Sequence, residues 1–372
     1  MKDLKNLDEI HCIKKIDKHG MLYLIEKFPE EFVESLKNSK LINEKEDFNG
    51  KEFSSILIGG LGGSAIVGDV IINWLQQRLK IPMYVWRDYH LPGFVHEKTI
   101  SIIISYSGET EEALSLLYEA YKRKSSIFCI TSGGKMESLC FKLKIPFVKV
   151  KPNLPPRAAL PNLLGALILI LQKINLMNDI SLEINDAINS LNEVRKKIEF
   201  SVPSNKNSLK QLAFLLLEKI PVIYSINRYF SVAQRLKNQF NENSKVFSIF
   251  GIIPEVCHNE VEGLAYLKSN SLDYSFIFLR FNDEFLEESI RIEEMKNLLK
   301  ELGFKSINEI KAIGKSTLGI LLSAIYQCDY LSFYLAILRG IDPFPIKNID
   351  LLKNRISTKT KAKEFFESFV YN

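Results

Sequence analysis

The residues best suited to chemistry in this chain of 372 residues lie in two short turns rich in glycine and hydroxyls. The first, Gly59-Gly60-Leu61-Gly62-Gly63-Ser64, follows the apolar run Ser55-Ile56-Leu57-Ile58 and precedes a helical pattern. Glycines let the backbone approach an anion closely, and a following helix presents unpaired N–H groups at the positive end of its dipole. Ser64 can cap that helix or donate to a phosphate. A tight turn with an N-cap serine explains the same residues, and a dinucleotide site is a serious rival. Against the dinucleotide, the spacing departs from G-x-G-x-x-G and no acidic residue ends a second strand where a ribose needs it. In the second turn, Ser105, Ser107 and Thr110 place three hydroxyls, with Gly108 among them, in front of another helix. Such a set suits a phosphate monoester held by hydrogen bonds without a metal, although capping by Ser107 or Thr110 explains it equally well in isolation. Two such turns at the carboxyl ends of adjacent strands point to the edge where open α/β sheets bind ligands.

Three further side chains carry charge or a titratable ring in suggestive places. Glu242 sits between two asparagines after an apolar helix, where a carboxylate can be held and partly desolvated; a surface glutamate at a helix end is the bland alternative. His258, one of five histidines, follows Pro254-Glu255-Val256-Cys257, a turn leaving a strand, and Glu260 beside it can orient the ring or face solvent. Arg157 lies between Pro156 and two alanines at the start of a buried helix, where it can stabilise developing negative charge or make an interdomain ion pair.

Bulk properties narrow the class. Lysine and arginine total 49 against 44 acidic residues, a formal charge of +5, which suits an anionic substrate without marking a nucleic-acid protein. Cys12, Cys129, Cys140, Cys257 and Cys328 are scattered with no C-x-x-C pair, the usage of reduced thiols in a cytoplasmic protein. His11 and His19 are isolated, and no His or Cys pair has ligand spacing, so neither metal nor cofactor is expected. Residues 1–15 lack the apolar run of a signal peptide, and Leu163 to Leu171 is too short to cross a bilayer, so no membrane role is expected.

The elements that must position these groups are legible as alternating strands and helices. After the first turn, Ile66, Val67, Val70, Ile71 and Trp74 mark a helix; then Thr99 to Ile104, Ile127 to Ile130 and Phe147 to Val150 read as strands, with Thr131-Ser132-Gly133-Gly134 as a third turn. Polar residues between Ser201 and Ser208 read as a linker, after which the pattern restarts with Pro221 to Tyr224, Phe247 to Ile249 and Tyr274 to Leu279 as strands. Leu318 to Leu338 is a long helix and another begins near Ile349. The expectation is an α/β protein: a helical segment over 1–50 in which Pro29 interrupts the helix, a first αβα domain over 51–200, and a second over 209–372. Both sheets are expected to be parallel.

At this point the motifs resemble a known family. Gly62-Gly63-Ser64, Ser105-Tyr106-Ser107-Gly108-x-Thr110 and Thr131-Ser132-Gly133-Gly134 are similar to the phosphosugar-binding loops of sugar-isomerase (SIS) domains. Pro156-Arg157-Ala158-Ala159-Leu160, Lys237-Asn238-Gln239-Phe240-Asn241-Glu242-Asn243-x-Lys245 and His258-Asn259-Glu260 narrow the resemblance to the bifunctional phosphoglucose/phosphomannose isomerases. It extends from about Gly59 to Lys353 and includes Asp329-Tyr330-x-Ser332-x-Tyr334-Leu335-Ala336 and Asp342-Pro343. The resemblance implies an aldose–ketose isomerase of hexose 6-phosphates. Glu242 would be the proton-transferring base, His258 the ring opener supplied across a homodimer interface, and Arg157 the stabiliser of the enediolate. Gly62, Gly63, Ser64, Ser105, Ser107 and Thr110 would hold the phosphate, and Lys353 corresponds loosely to a lysine near the sugar. A non-catalytic SIS sensor would keep the hydroxyl loops without needing Glu242 or His258. An amidotransferase-linked isomerase would require a glutaminase domain for which the chain has no room.

Overall fold

The computed structural model describes residues 7–44, 52–177, 179–267, 274–357 and 359, and the chain falls into two compact units. One comprises Phe28–Ile180 with Ile346–Asn372, the other Met1–Lys27 with Ser181–Pro345.

The first unit is built on a six-stranded sheet. Its strands are β1 (Leu41–Ile42), β2 (Ser55–Gly59), β3 (Met83–Trp86), β4 (Thr99–Ile104), β5 (Ser126–Thr131) and β6 (Phe147–Lys149), in the order β1-β6-β5-β4-β2-β3. All neighbours are parallel except β1, which pairs antiparallel with β6. Strands β2 and β4 lie inside the sheet and are buried at every residue, as expected for strands covered on both faces. Their neighbouring ends carry the first two turns, and β5, on the other side of β4, carries the third. Strands β1 and β3 were not expected from the sequence: β1 has two residues, and β3 is a partly exposed edge whose apolar run is short.

The second unit has four parallel strands, β7 (Ile220–Ile226), β8 (Ile249–Ile253), β9 (Tyr274–Arg280) and β10 (Ile307–Lys311), ordered β10-β9-β7-β8. This order repeats β5-β4-β2-β3 element for element, so the second half is a topological copy of the first. The sequence also missed β10, whose Asn308, Glu309 and Lys311 hide an edge strand. It placed β8 two residues too early, at Phe247 rather than Ile249.

The division of the chain differs from the expected boundaries at 50 and 200–209. Pro29 does not interrupt a helix; it is the second residue of Phe28–Asn38, where its missing N–H costs nothing. That helix lies on Leu160–Lys173, with the Ser35 hydroxyl donating to the Pro161 carbonyl at 2.9 Å, and so belongs to the first unit. Helix Ser181–Ile198, expected in the first domain, packs instead on Thr317–Leu338 in the second. There Asp186 accepts from the Ser316 amide at 2.7 Å and its hydroxyl at 2.6 Å. The polar stretch read as a linker is an ordered turn inside that unit. Asn207 caps Ser208–Leu215 through the Leu209 and Lys210 amides, and Lys210 reaches the Phe200 and Val202 carbonyls at 2.9 Å each.

Thr317–Leu338 is the spine of the second unit. By length and composition it could cross a membrane, but Leu318 through Ile337 are all buried within the unit, as expected of a helix apolar all round. Its few polar side chains grip neighbours. Asp329 accepts from Arg235 Nε at 2.9 Å, Arg235 Nη2 at 2.7 Å and Gln239 Nε2 at 2.7 Å, and both ions are buried. Ser332 receives Asn243 Nδ2 on its hydroxyl at 2.9 Å, and its carbonyl accepts from the Ser244 hydroxyl at 2.6 Å. Removing one member of a buried ion pair strands the other. Asp329→Ala should therefore lower unfolding free energy by about 3–5 kcal/mol, read from urea titration.

Candidate active site

In the first unit three turns meet backbone to backbone. Gly62, at φ +52, precedes helix Gly63–Leu75, which has no side-chain cap. Ser64 is not that cap: its Oγ accepts the Tyr106 amide at 3.1 Å and ties the first turn to the second. A Cβ on Gly63 would stand 2.8 Å from the Pro156 carbonyl oxygen and 3.2 Å from the Arg157 nitrogen. The first turn therefore lies directly on the segment Pro156–Ala158 that carries Arg157. Arg157 itself is buried, with 3% of its surface exposed.

The second turn is organised around Ser105, which is fully buried. Its hydroxyl donates to Thr110 Oγ1 at 3.0 Å and accepts the Gly108 amide at 3.1 Å. Ser107 is exposed and accepts the Glu109 amide at 3.2 Å. Thr110 occupies the N-cap of helix Glu111–Lys122 without capping it through its side chain, since its hydroxyl faces Ser105. Simple capping, the alternative left open by the sequence, is therefore not how Thr110 is used. Gly108 sits at φ +70, and a Cβ there would overlap the Gly133 carbonyl oxygen. The third turn thereby buttresses the second: Ser132 donates to the Tyr106 carbonyl at 2.7 Å, and the Met136 amide donates to that of Gly108 at 3.1 Å.

Tyr106 is a positioning residue that the sequence did not single out. Its phenol donates to the Lys151 carbonyl at 2.7 Å and accepts the Leu154 amide at 2.8 Å, fixing the loop that leads to Arg157. Burial raises its hydroxyl pKa, so it stays protonated. Glu31, from the helix Phe28–Asn38, binds Lys151 at 2.5 Å and Asn162 at 3.2 Å on either side of the same segment. A tyrosine flanked by two serines was the available signal; Glu31, more than 100 positions from its partners, gave none.

A second overlooked pair is Asp69 and Arg87. Asp69 is buried on the helix leaving the first turn, and Arg87 directly follows β3. Burial pushes the Asp69 carboxyl up to about 6 against the pull of the Arg87 guanidinium.

In the second unit, Glu242 lies in the single π-helical turn Phe240–Ser244, which continues helix Phe230–Gln239. Such turns redirect a side chain out of the regular helical track and recur at functional sites. Lys245, in the left-handed conformation, ends the turn and hydrogen-bonds the Glu242 carbonyl. Glu242 is half-buried, and its turn is clamped to the spine through Asn243 and Ser244. His258 ends the short helix Glu255–His258 after β8 and is exposed, with no hydrogen bond or ion pair among the described residues. Glu260 does not orient it: the Glu260 carboxylate accepts the Tyr224 hydroxyl at 3.0 Å. Lys353 lies in the first unit, exposed on helix Lys347–Ser357, away from any described partner. His11 is less isolated than expected, with Nε2 3.1 Å from Glu9 and 3.3 Å from Cys12 on an exposed helix end.

Comparison with known proteins bears on this arrangement. A model of the bacterial phospho-glucose isomerase C-terminal SIS domain matches residues 205–356. The bifunctional phosphoglucose/phosphomannose isomerase of Caldicellulosiruptor bescii is 36% identical over 308 residues, covering 82% of this chain and 91% of that protein. The chain belongs to the bifunctional phosphoglucose/phosphomannose isomerase family. The Aquifex aeolicus protein of the same name is 34% identical over 307 residues, again 82% of this chain and 91% of its own length. A hypothetical protein from Thermus thermophilus shares the fold at a TM-score of 0.72 with 12% identity, over 96% of this chain and 94% of its own.

The close approach of the second and third turns makes glycine at 108 testable. Gly108→Ala adds a Cβ that must displace the third turn. Inorganic phosphate binding, measured by calorimetry, should weaken at least about tenfold, the loss of one charge-assisted contact.

Proposed function

We propose that the protein interconverts glucose 6-phosphate and mannose 6-phosphate with fructose 6-phosphate. The observation that carries this reading is the abutment of three glycine- and hydroxyl-lined turns with the Arg157 segment, at the carboxyl edge of a parallel sheet. Family membership supports it, and the relatives reported above carry names of enzymes, which favours catalysis over a sensor. Gly62, Gly63, Ser64, Ser105, Ser107 and Thr110 hold the phosphate through amides and hydroxyls.

The chemistry assigns the remaining roles. His258 passes a proton to the ring oxygen as the C1–O5 bond breaks, while the C1 hydroxyl gives up its proton to solvent and becomes the aldehyde carbonyl. Glu242 then removes the C2 proton of the open aldose. Negative charge spreads over O1 and O2 of the enediolate, where Arg157 stabilises it. Return of the proton to C1, with the O2 proton passing to O1, yields the ketose. Since C2 is planar in the enediolate, protonation on either face accounts for both epimeric aldoses. The exposure of His258 suits a residue donated to the partner's site in a homodimer. Lys353, on an exposed helix, is proposed to reach the sugar. None of the five cysteines is joined in a disulfide, which fits a cytoplasmic enzyme.

Glu242→Gln keeps the shape and removes the proton acceptor. In a coupled assay on fructose 6-phosphate it should lower kcat by about 10²–10⁴ with little change in KM. Unchanged turnover would remove Glu242 from the mechanism.

His258→Ala should slow the cyclic sugar most. Mixed with Glu242→Gln subunits, it should regenerate some intact sites if His258 crosses a dimer. Heterodimers that never recover activity would mean that each site is built from one chain.

A further inference from the structure

We propose that Arg87 is a phosphate-positioning residue, supplying to the sugar phosphate the positive charge that the hydroxyl loops lack. The inference rests on the isomerase reading above and deepens it at the same site. A hexose 6-phosphate is close to a dianion at neutral pH, yet Ser64, Ser105, Ser107 and Thr110 bring no cation. The second turn and the helix after it add Glu109, Glu111 and Glu112, and Lys135 is taken up by Glu109 at 3.3 Å. Hydroxyls and amides alone would hold the dianion against these carboxylates.

Arg87 stands where the missing charge is needed. It is the first residue after β3, the strand beside β2, and the preceding carbonyl, Trp86, accepts the amide of Gly60 in the first turn at 3.1 Å. Its side chain is one-third exposed, at 33%, and its ion-pair partner Asp69 is buried at 2%. Asp69 lies on the helix that begins in the first turn, five residues after Ser64. One guanidinium nitrogen, Nη2, binds Asp69, and among the described residues the group makes no other hydrogen bond or ion pair. Guanidinium offers five donors, so the bond to Asp69 leaves others without a described partner. A planar cation anchored at one end with open donors at the other is suited to a phosphate oxygen.

The rest of the loop is braced for such a role. The Trp86 indole donates to the His90 carbonyl at 2.6 Å, His90 Nδ1 contacts Glu119 at 2.6 Å, and the Leu91 amide donates to Glu119 at 2.9 Å. Arg123 holds the Leu91 and Pro92 carbonyls at 3.1 and 2.7 Å. Glu119 and Arg123 belong to the end of the helix that starts at Thr110 or directly follow it, so the loop carrying Arg87 and the hydroxyl turn share one support.

The test compares inhibition by inorganic phosphate with turnover of fructose 6-phosphate. Arg87→Gln should raise both the inhibition constant for phosphate and the KM by about tenfold or more, with kcat changed less than about twofold. Arg87→Lys should recover much of the loss, and the difference between wild type and Arg87→Gln should shrink as salt is raised. Because Arg87→Gln leaves Asp69 unpaired in the core, Asp69→Asn/Arg87→Gln removes both charges and should show the same phosphate defect in a folded protein. If that double variant inhibits and turns over like wild type while Ser107→Ala/Thr110→Ala weakens phosphate binding, Arg87 has no such role and the phosphate site stands. If neither variant changes phosphate binding, the phosphate site lies elsewhere, whereas wild-type protein that fails to turn over fructose 6-phosphate would overturn the isomerase reading itself.

Discussion

The geometry of the first unit's ligand edge depends on backbone meeting backbone where no side chain fits. Gly108 against the Gly133 carbonyl and Gly63 against Pro156 are two of the places where this is enforced. Each contact brings together turns from different strand ends, and each would be broken by a single methyl group. With the turns locked, hydroxyls have only one set of partners. Ser64 holds the Tyr106 amide, Ser105 holds Gly108 and faces Thr110, and Ser132 holds the Tyr106 carbonyl. Preorganised donors of this kind spend little ordering entropy when an anion arrives.

The two sheets share a strand order but have diverged in what their strand ends do. After β2 the chain makes an open glycine turn. At the corresponding place after β7, the turn Asn227–Tyr229 is closed by its own side chains: Arg228 pairs with Asp283 at 3.0 Å and Glu288 at 2.9 Å, and Tyr229 donates to Asp283 at 2.7 Å. A turn whose cation is taken up by its own carboxylates offers little to an external phosphate. The second unit instead carries Glu242 on a turn that hangs from a buried helix by Asn243 and Ser244, with Gln239 and Arg235 one and two turns earlier on the preceding helix. Placing a carboxylate on a π-helical turn anchored to a rigid spine fixes its direction more firmly than a surface loop would.

Which parts of this were legible in the residues follows from the range of the interactions. Alternation of apolar runs with glycine turns is a local signal, so β2, β4, β5, β7 and β9 emerged close to their true limits, as did the spine helix. The hydroxyl clusters were legible for the same reason, being contiguous. Edge strand β10 was lost because an edge tolerates polar residues, which break its apolar run, and β3 because its run spans only four residues.

The sequence by itself determined the alternating α/β pattern, its repetition, and the loops and side chains that resemble those of phosphosugar isomerases. Only the tertiary structure decided where the units divide, that the polar stretch near residue 204 is an ordered turn, and that Ser64 braces a neighbouring turn rather than capping its own helix. It alone paired Asp69 with Arg87 and turned Glu260 toward Tyr224 rather than His258. Apart from the turn near residue 204, these outcomes rest on contacts between residues from 18 to over 100 positions apart. Composition and periodicity report which face of an element is apolar, but the partner of a buried polar group is chosen by packing, where every donor and acceptor taken from water must find a mate.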